Sequence, residues 1–352
     1  MRFSWVGAVF WVVYLVLCSY SSVMFMVSVL VGIIISLSSM SMLSVWVGME
    51  VGFLGVIGVM SGQSMGEVES TMKYFIVQVL GSLCFLLGVM VGCGGVFLGS
   101  ELILMVVGLC FKVGLFPFHF WVPAVMSQVS WWGCFIIGVF QKVVPLWVFS
   151  NMGVGGYLLS GVELVVMVTA LLGCLGGLGV LHFRVLFAFS SLIHTGFMVI
   201  LSLVSLFGFF LYLLVYFFLN IGLVLCMWSA GVYSVLDVLK VRGVLVEVLL
   251  LSVSLYALSL AGLPPFSGCF LKVYFLNLCW SSFPLVCLVL VFSSGVSLYF
   301  YLSMFLSLSM MSGSKGLSVS SKIKILSSWY FVLSLVLNLL GGLPLFMMVG
   351  VL

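Results

Sequence analysis

Charge is what this chain has least of. Of 352 residues, 11 are Lys or Arg and 7 are Asp or Glu, so 5% are charged, against about 25% in a soluble domain. Hydrophobic residues make up 65%, and the mean hydropathy is +1.49. No soluble core could absorb that much apolar surface, so the chain is an integral membrane protein. Strand-type alternation is also missing and the apolar runs are long. Helices, not a barrel, therefore cross the bilayer. The net charge of +4 is small and scattered and gives no reason to expect nucleic acid as a partner.

Ligand sets are scarce too. The ten cysteines form no CxxC pair, and most lie inside apolar runs, where cysteine behaves as a small hydrophobe. Three histidines, His119, His182 and His194, are too few and too poorly spaced for paired haem ligation. No glycine-rich nucleotide motif is present, and the 39 glycines read as helix-packing positions. These absences argue against a redox centre, a nucleotide or a metal held by this chain. Thr occurs three times, and Asn and Gln four times each. Those residues have A- and C-rich codons, which hints at a strand-biased small genome such as an organelle's.

What is present is a series of apolar tracts. About 20 residues span a bilayer, so the tract 3–37 is too long for one span. The break Cys18-Ser19-Tyr20-Ser21-Ser22 divides an N-terminal extension, 1–20, from a transmembrane domain, 21–352. Spans are expected near 21–37, 43–60, 72–92, from 101 to a break at Pro117, 130–149, 158–177, 184–204 and 206–231. A polar interfacial segment, 233–247, precedes a ninth span that is interrupted at Gly262-Leu263-Pro264-Pro265 and resumes to about 281. Spans near 284–309 and 328–349 complete eleven, or twelve if 3–18 crosses. The loops test this count. Numbered alternately, side one holds Arg2, Lys73, Arg184, Lys240, Arg242, Lys315, Lys322 and Lys324, and side two holds no Lys or Arg. That asymmetry fits the positive-inside rule, so side one is the cytoplasmic or matrix side.

Three basic residues remain, and all lie inside spans. Lys112 sits five residues before Pro117 and eleven before Pro123; Lys142 and Lys272 occupy other apolar runs. An ionisable residue at membrane depth is costly and by default a functional candidate. The alternative is snorkelling to an interface, which suits Lys272 better than the other two. Prolines at both breaks suggest discontinuous helices, tolerated where the freed backbone lines a buried or wet cavity. They read as matched elements of an internal repeat, or else as two ordinary kinks.

Glu50 lies mid-span in VWVGMEVGFLGV. Burial disfavours the charged form of both a carboxyl and an amine, while a nearby opposite charge holds both ionised. An acid–lysine pair that switches between those states could pump. A neutral carboxyl that only ties helices together is the alternative. His194, in FSSLIHTGFM with Ser190, Ser191 and Thr195, could relay protons or be a satisfied core histidine; His119 poses the same choice. His182 reads as interfacial. Glu67, Glu69 and Lys73 read as a solvated helix start, Glu69 and Lys73 being a helical pair. Glu101 and Glu163, near span ends, read as surface groups.

At these residues the chain resembles the subunit 2 family of mitochondrial NADH:ubiquinone oxidoreductase, the antiporter-like (Mrp-type) membrane subunits of respiratory complex I. The matching stretches are VWVGMEVGFL, EVESTMKYFIVQ at 67–78, GLCFKVGLFPFHFWVP at 108–123, FQKVVPL at 140–146, FRVLFAFSSLIHTGFM at 183–198, LSLAGLPPFSGCFLKV at 258–273 and SLYFYL at 297–302. The resemblance implies an all-α, eleven-helix, multi-pass protein of the mitochondrial inner membrane with two proline-broken helices. It implies proton translocation, with Glu50 as the buried glutamate coupled to a lysine. Lys112 and Lys272 correspond to the lysines of the broken helices, Lys142 to the central-axis lysine, and His194 to the histidine of the S-S-x-x-H run. It further implies lipid, membrane-arm and accessory subunits as partners, with NADH, FMN, iron–sulfur clusters and ubiquinone bound by other subunits. The chain departs from the family pattern at Ala124 (usually glutamate), Val185 (usually lysine) and Ser303 (commonly arginine). A stand-alone cation/proton antiporter and a structural scaffold with buried charges are the competing readings.

Overall fold

The computed structural model describes residues 22–62, 64–94, 100–235, 237, 244–264, 266–312, 336 and 338; for 94, 244–248 and 309–312 it describes the backbone alone. The described residues are helical apart from connections and one isolated bridge. Seven helices are long and apolar enough to cross a membrane, and shorter apolar helices cover 22–38, 249–261 and 267–279. Ten of the eleven segments expected to span are helical here. The eleventh, 328–349, lies outside the described residues apart from Val336 and Asn338, as does the extension 1–20. Residues 236 and 238–243 of the polar segment 233–247 are also outside them. The contacts divide the chain into two compact units, Met1–Gly108 and Leu109–Leu352.

The first unit contains α1 (Ser22–Ser38), α2 (Met42–Met60), α3 (Met65–Gly94) and most of α4 (Ser100–Val113). Lipid gives little hydrophobic drive for helices to pair, so small residues that let backbones approach decide the contact. A Cβ on Gly32 of α1 would lie 2.5 Å from the Gly52 nitrogen of α2, and one on Gly48 would lie 2.8 Å from the Ser36 nitrogen. The α3–α4 contact repeats the device: a Cβ on Gly108 would sit 2.7 Å from the Phe85 nitrogen, and one on Gly88 would sit 2.9 Å from the Glu101 carbonyl oxygen. Gly32→Leu is therefore expected to force α1 off α2. The cost should be at least about 1–3 kcal/mol, as for overpacking generally, read as a lower thermal midpoint of the assembled protein.

The start of α3 is a capping box. Glu67 accepts hydrogen bonds from the Ser64 backbone N–H and hydroxyl, and the Glu67 N–H donates back to the Ser64 hydroxyl. One turn on, Glu69 and Lys73 pair at 2.6 Å, both well exposed, as the spacing predicts.

The second unit is built on α5 (Trp121–Met126), α6 (Trp131–Asn151), α7 (Gly156–Gly176), α8 (Phe183–Val204), α9 (Leu206–Ala230), α10 (Val244–Ala261), α11 (Ser267–Cys279) and α12 (Pro284–Ser312). Its hub is α8, which packs against α5, α6, α7, α9, α11 and α12. Almost every α8 residue is buried, His194 and its hydroxyl neighbours included.

Three loops that alternate numbering puts on side one meet in this unit. The Arg184 guanidinium donates to the Val129 carbonyl at 2.6 Å and lies 4.5 Å over the Tyr233 ring. Trp131 stacks on the same ring at 6.1 Å, and His182 bridges to Ser234. The loops near 129, 182 and 233 therefore share one end of the bundle, as the alternation requires.

Candidate functional site

The two helix breaks are built alike. After α4, Gly114 turns left-handed (φ +82°), and its N–H and that of Leu115 both return to the Cys110 carbonyl. After α10, Gly262 does the same (φ +80°), and the Leu263 N–H returns to the Leu258 carbonyl. Both are glycine C-caps of the Schellman type. The N–H of Phe118 then closes on Leu115, and that of Phe266 closes on Leu263. In chain terms Cys110, Gly114, Leu115 and Phe118 map onto Leu258, Gly262, Leu263 and Phe266 at a constant offset of 148. The matched elements expected from the prolines are thus glycine caps, and the helices end three or more residues before Pro117 and Pro265.

Each break places an ammonium at a helix C-terminus, where the exposed carbonyls carry partial negative charge. Lys112 lies in the last turn of α4 and is 2% exposed. Lys272 comes from α11 and folds back to donate to the Ala261 carbonyl, the last of α10, at 2.5 Å. It turns inward rather than snorkelling, and Gly262 leaves room for it: a Cβ there would meet the Lys272 Cε and Nζ at 2.7 Å.

Lys142 is 3% exposed and donates to the Ser191 carbonyl of α8 at 2.9 Å. Two irregularities of α6 flank it. A π-turn covers Ile136–Phe140, and Pro145 within the helix withholds the N–H that would otherwise reach the Gln141 carbonyl. A π-turn adds a residue to the helical register, which sets the face on which Lys142 emerges.

His194 is close enough to interact electrostatically with both Lys272 and Lys142, and its Nδ1 shares a 2.8 Å hydrogen bond with the Tyr212 hydroxyl of α9. Ser190, His194, Lys272, Ser294, Ser297 and Tyr301 line one gap between α8, α11 and α12, too narrow for a water-sized sphere. In the first unit, Glu50 is half-buried on α2 and within electrostatic range of the fully buried Tyr74 on α3.

Sequence reasoning missed the tyrosines and Asn220. Tyr212, Tyr216 and Asn220 recur every four residues along α9, all buried, and Tyr301 is buried on α12. Spacing by four puts side chains on one helix face, so the signal was available. His119 is buried and lies tilted against the Phe120 ring at 4.0 Å, with no hydrogen-bond partner for Nδ1. Among the departures, Ala124 and Ser303 are exposed on the chain and Val185 is half-buried; none joins the buried line of charges.

Residues 96–297 match the model of a family described as NADH:quinone oxidoreductase/Mrp antiporter, transmembrane. NADH-ubiquinone oxidoreductase chain 2 of Branchiostoma lanceolatum is 35% identical over 296 residues, covering 80% of this chain and 84% of the relative. The chain belongs to the NADH-ubiquinone oxidoreductase chain 2 family. The fold agrees. Respiratory complex I from Thermus thermophilus contains a chain that superposes with a TM-score of 0.74 at 22% identity, over 93% of this chain and 79% of that one. A chain of the Mrp complex from Dietzia superposes at 0.72 and 19% identity, over 91% and 75%. The chain 2 family fold is thus antiporter-like, and the protein is a multi-pass membrane protein.

Proposed function

We propose that the chain is a membrane-arm subunit of respiratory NADH:ubiquinone oxidoreductase in the mitochondrial inner membrane. It moves protons from side one to side two as electrons pass from NADH to ubiquinone in other subunits. The observation that carries this reading is the group Lys142, His194 and Lys272: the first two are buried, Lys272 is half-buried, and the lysines sit on the Ser191 carbonyl of α8 and the Ala261 carbonyl of α10. A lysine on a carbonyl has no fixed counter-charge there, so it can give up and regain its proton as the field around it changes. Lys112, buried in the last turn of α4, is a second station. Glu50 is the carboxyl whose charge state would be coupled to the lysines.

NADH, FMN, iron–sulfur clusters and ubiquinone belong to other subunits on this reading. The described residues contain no group of His, Cys, Asp or Glu arranged to hold a metal ion. The exposed apolar side chains of α1, α2, α3 and α12 suit lipid and neighbouring antiporter-like, small membrane and accessory subunits.

The test is NADH-driven proton pumping by reconstituted complex carrying Lys112→Ala or Lys142→Ala, with assembly measured on the same samples. Assembled complex should lose coupled pumping by tenfold or more. Normal pumping in both variants would sink the relay.

A further inference from the structure

We propose that Tyr212, Tyr216 and Tyr301 carry protons between the Lys142 and Lys272 ends of the site as a hydroxyl relay with His194 at its centre. This inference rests on the proton-translocating reading above and adds Tyr212 and Tyr216, which lie outside the quoted family stretches, and Tyr301, which lies within SLYFYL.

Three observations support it. First, the three tyrosines converge on His194 from two helices. The Tyr212 hydroxyl is 2.8 Å from Nδ1, the Tyr216 ring is 4.9 Å from the imidazole, and Tyr301 lines the same gap as His194 and Lys272. Tyr212 and Tyr216 interact electrostatically with each other and with Tyr301. Second, all three are buried to within about 1–2% of full enclosure. A buried hydroxyl ordinarily finds a partner. Yet the Tyr301 hydroxyl sits beside that of Ser190, and the Tyr216 hydroxyl beside the Asn220 amide, without a hydrogen bond of acceptable geometry. Third, the gap between His194, Lys272 and Tyr301 is too tight for a water molecule.

The transfer balances. A proton leaving the ammonium at one end adds to a hydroxyl oxygen as that hydroxyl's own proton leaves for the next acceptor. His194 takes a proton on one ring nitrogen and releases one from the other, so it ends neutral as the other tautomer, and a flip of the ring restores the donor and acceptor positions. One proton enters, one leaves to the neutral amine at the far end, and every hydroxyl is restored after it rotates back.

The test is protons translocated per NADH oxidised, measured on reconstituted complex carrying Tyr212→Phe, Tyr216→Phe or Tyr301→Phe separately. Tyr256→Phe is the control, since Tyr256 is equally buried but lies against Gly222 and Cys226. Each of the three should lower the proton-to-NADH ratio at least twofold while the thermal midpoint stays put, and Tyr256→Phe should leave the ratio unchanged. A merely structural hydroxyl would lower yield and leave the ratio alone. Unchanged ratios in all three variants, an equal fall in Tyr256→Phe, or failure of all three to assemble would each overturn the proposal. Lys142→Ala run alongside separates the two readings. If it pumps normally, the relay itself falls; if it is inactive while the tyrosine variants pump fully, only the hydroxyl link falls.

Discussion

Gly268→Val is expected to prevent the subunit from assembling. Gly268 is in the first turn of α11, where the chain resumes after the second break, and it faces the last turns of α10. A Cβ built there lands on the Ser259 carbonyl oxygen and comes within 2.7 Å of the Ser259 carbonyl carbon. Both are backbone atoms of a helix and cannot swing aside as a flexible side chain would. The two halves of the broken helix would have to part. That would also pull Lys272 from the Ala261 carbonyl and from its seat over Gly262. Ordinary overpacking costs about 1–3 kcal/mol; a backbone collision should exceed that, a large fraction of a domain's net stability. The measurement is the yield of assembled complex on a native gel and its thermal midpoint. Gly295→Val is the control, because Gly295 of α12 has nothing within 4 Å of a Cβ and should assemble normally. Assembly of Gly268→Val at the control's midpoint would show that the break is not packed this tightly.

The same break shows how far the sequence could be read. Hydropathy located the helices to within a few residues, because in lipid each crossing must be one apolar run with its backbone bonds satisfied internally. The prolines located both interruptions. They did not give the helix ends, which fall earlier, at the left-handed Gly114 and Gly262; proline only keeps the helix from resuming. The lysines stood out because a charge at membrane depth is conspicuous. Their partners did not. The bond from Lys142 to the Ser191 carbonyl depends on how α6 and α8 pack and on a π-turn in α6, neither of which leaves a mark in one sequence. The tyrosine stripe of α9 was legible in its spacing. It was hidden by company: the run LFGFFLYLLVYFFLNIG is aromatic throughout, and a tyrosine in such a run reads as one more bulky core side chain.

Lys142→Met is expected to separate stability from function. Among the described residues the Lys142 ammonium has one hydrogen bond, to the Ser191 carbonyl, and no ion pair. An ammonium can donate three, so its desolvation is only partly offset, and several kcal/mol per buried ion is the usual scale of that penalty. Methionine has nearly the same length and fills an irregular slot well. Removing the lysine also strands no counter-charge, since its acceptor is a helix carbonyl. That is the reverse of breaking a buried ion pair, where the orphaned partner makes the loss large. The thermal midpoint of the assembled complex should therefore hold or rise by a few degrees, while NADH-driven proton translocation falls at least tenfold. If the lysine only fixed helix packing, both quantities would fall together. With that outcome, a charge that weakens the fold where an apolar side chain fits would be explained by work that only a titrating group can do.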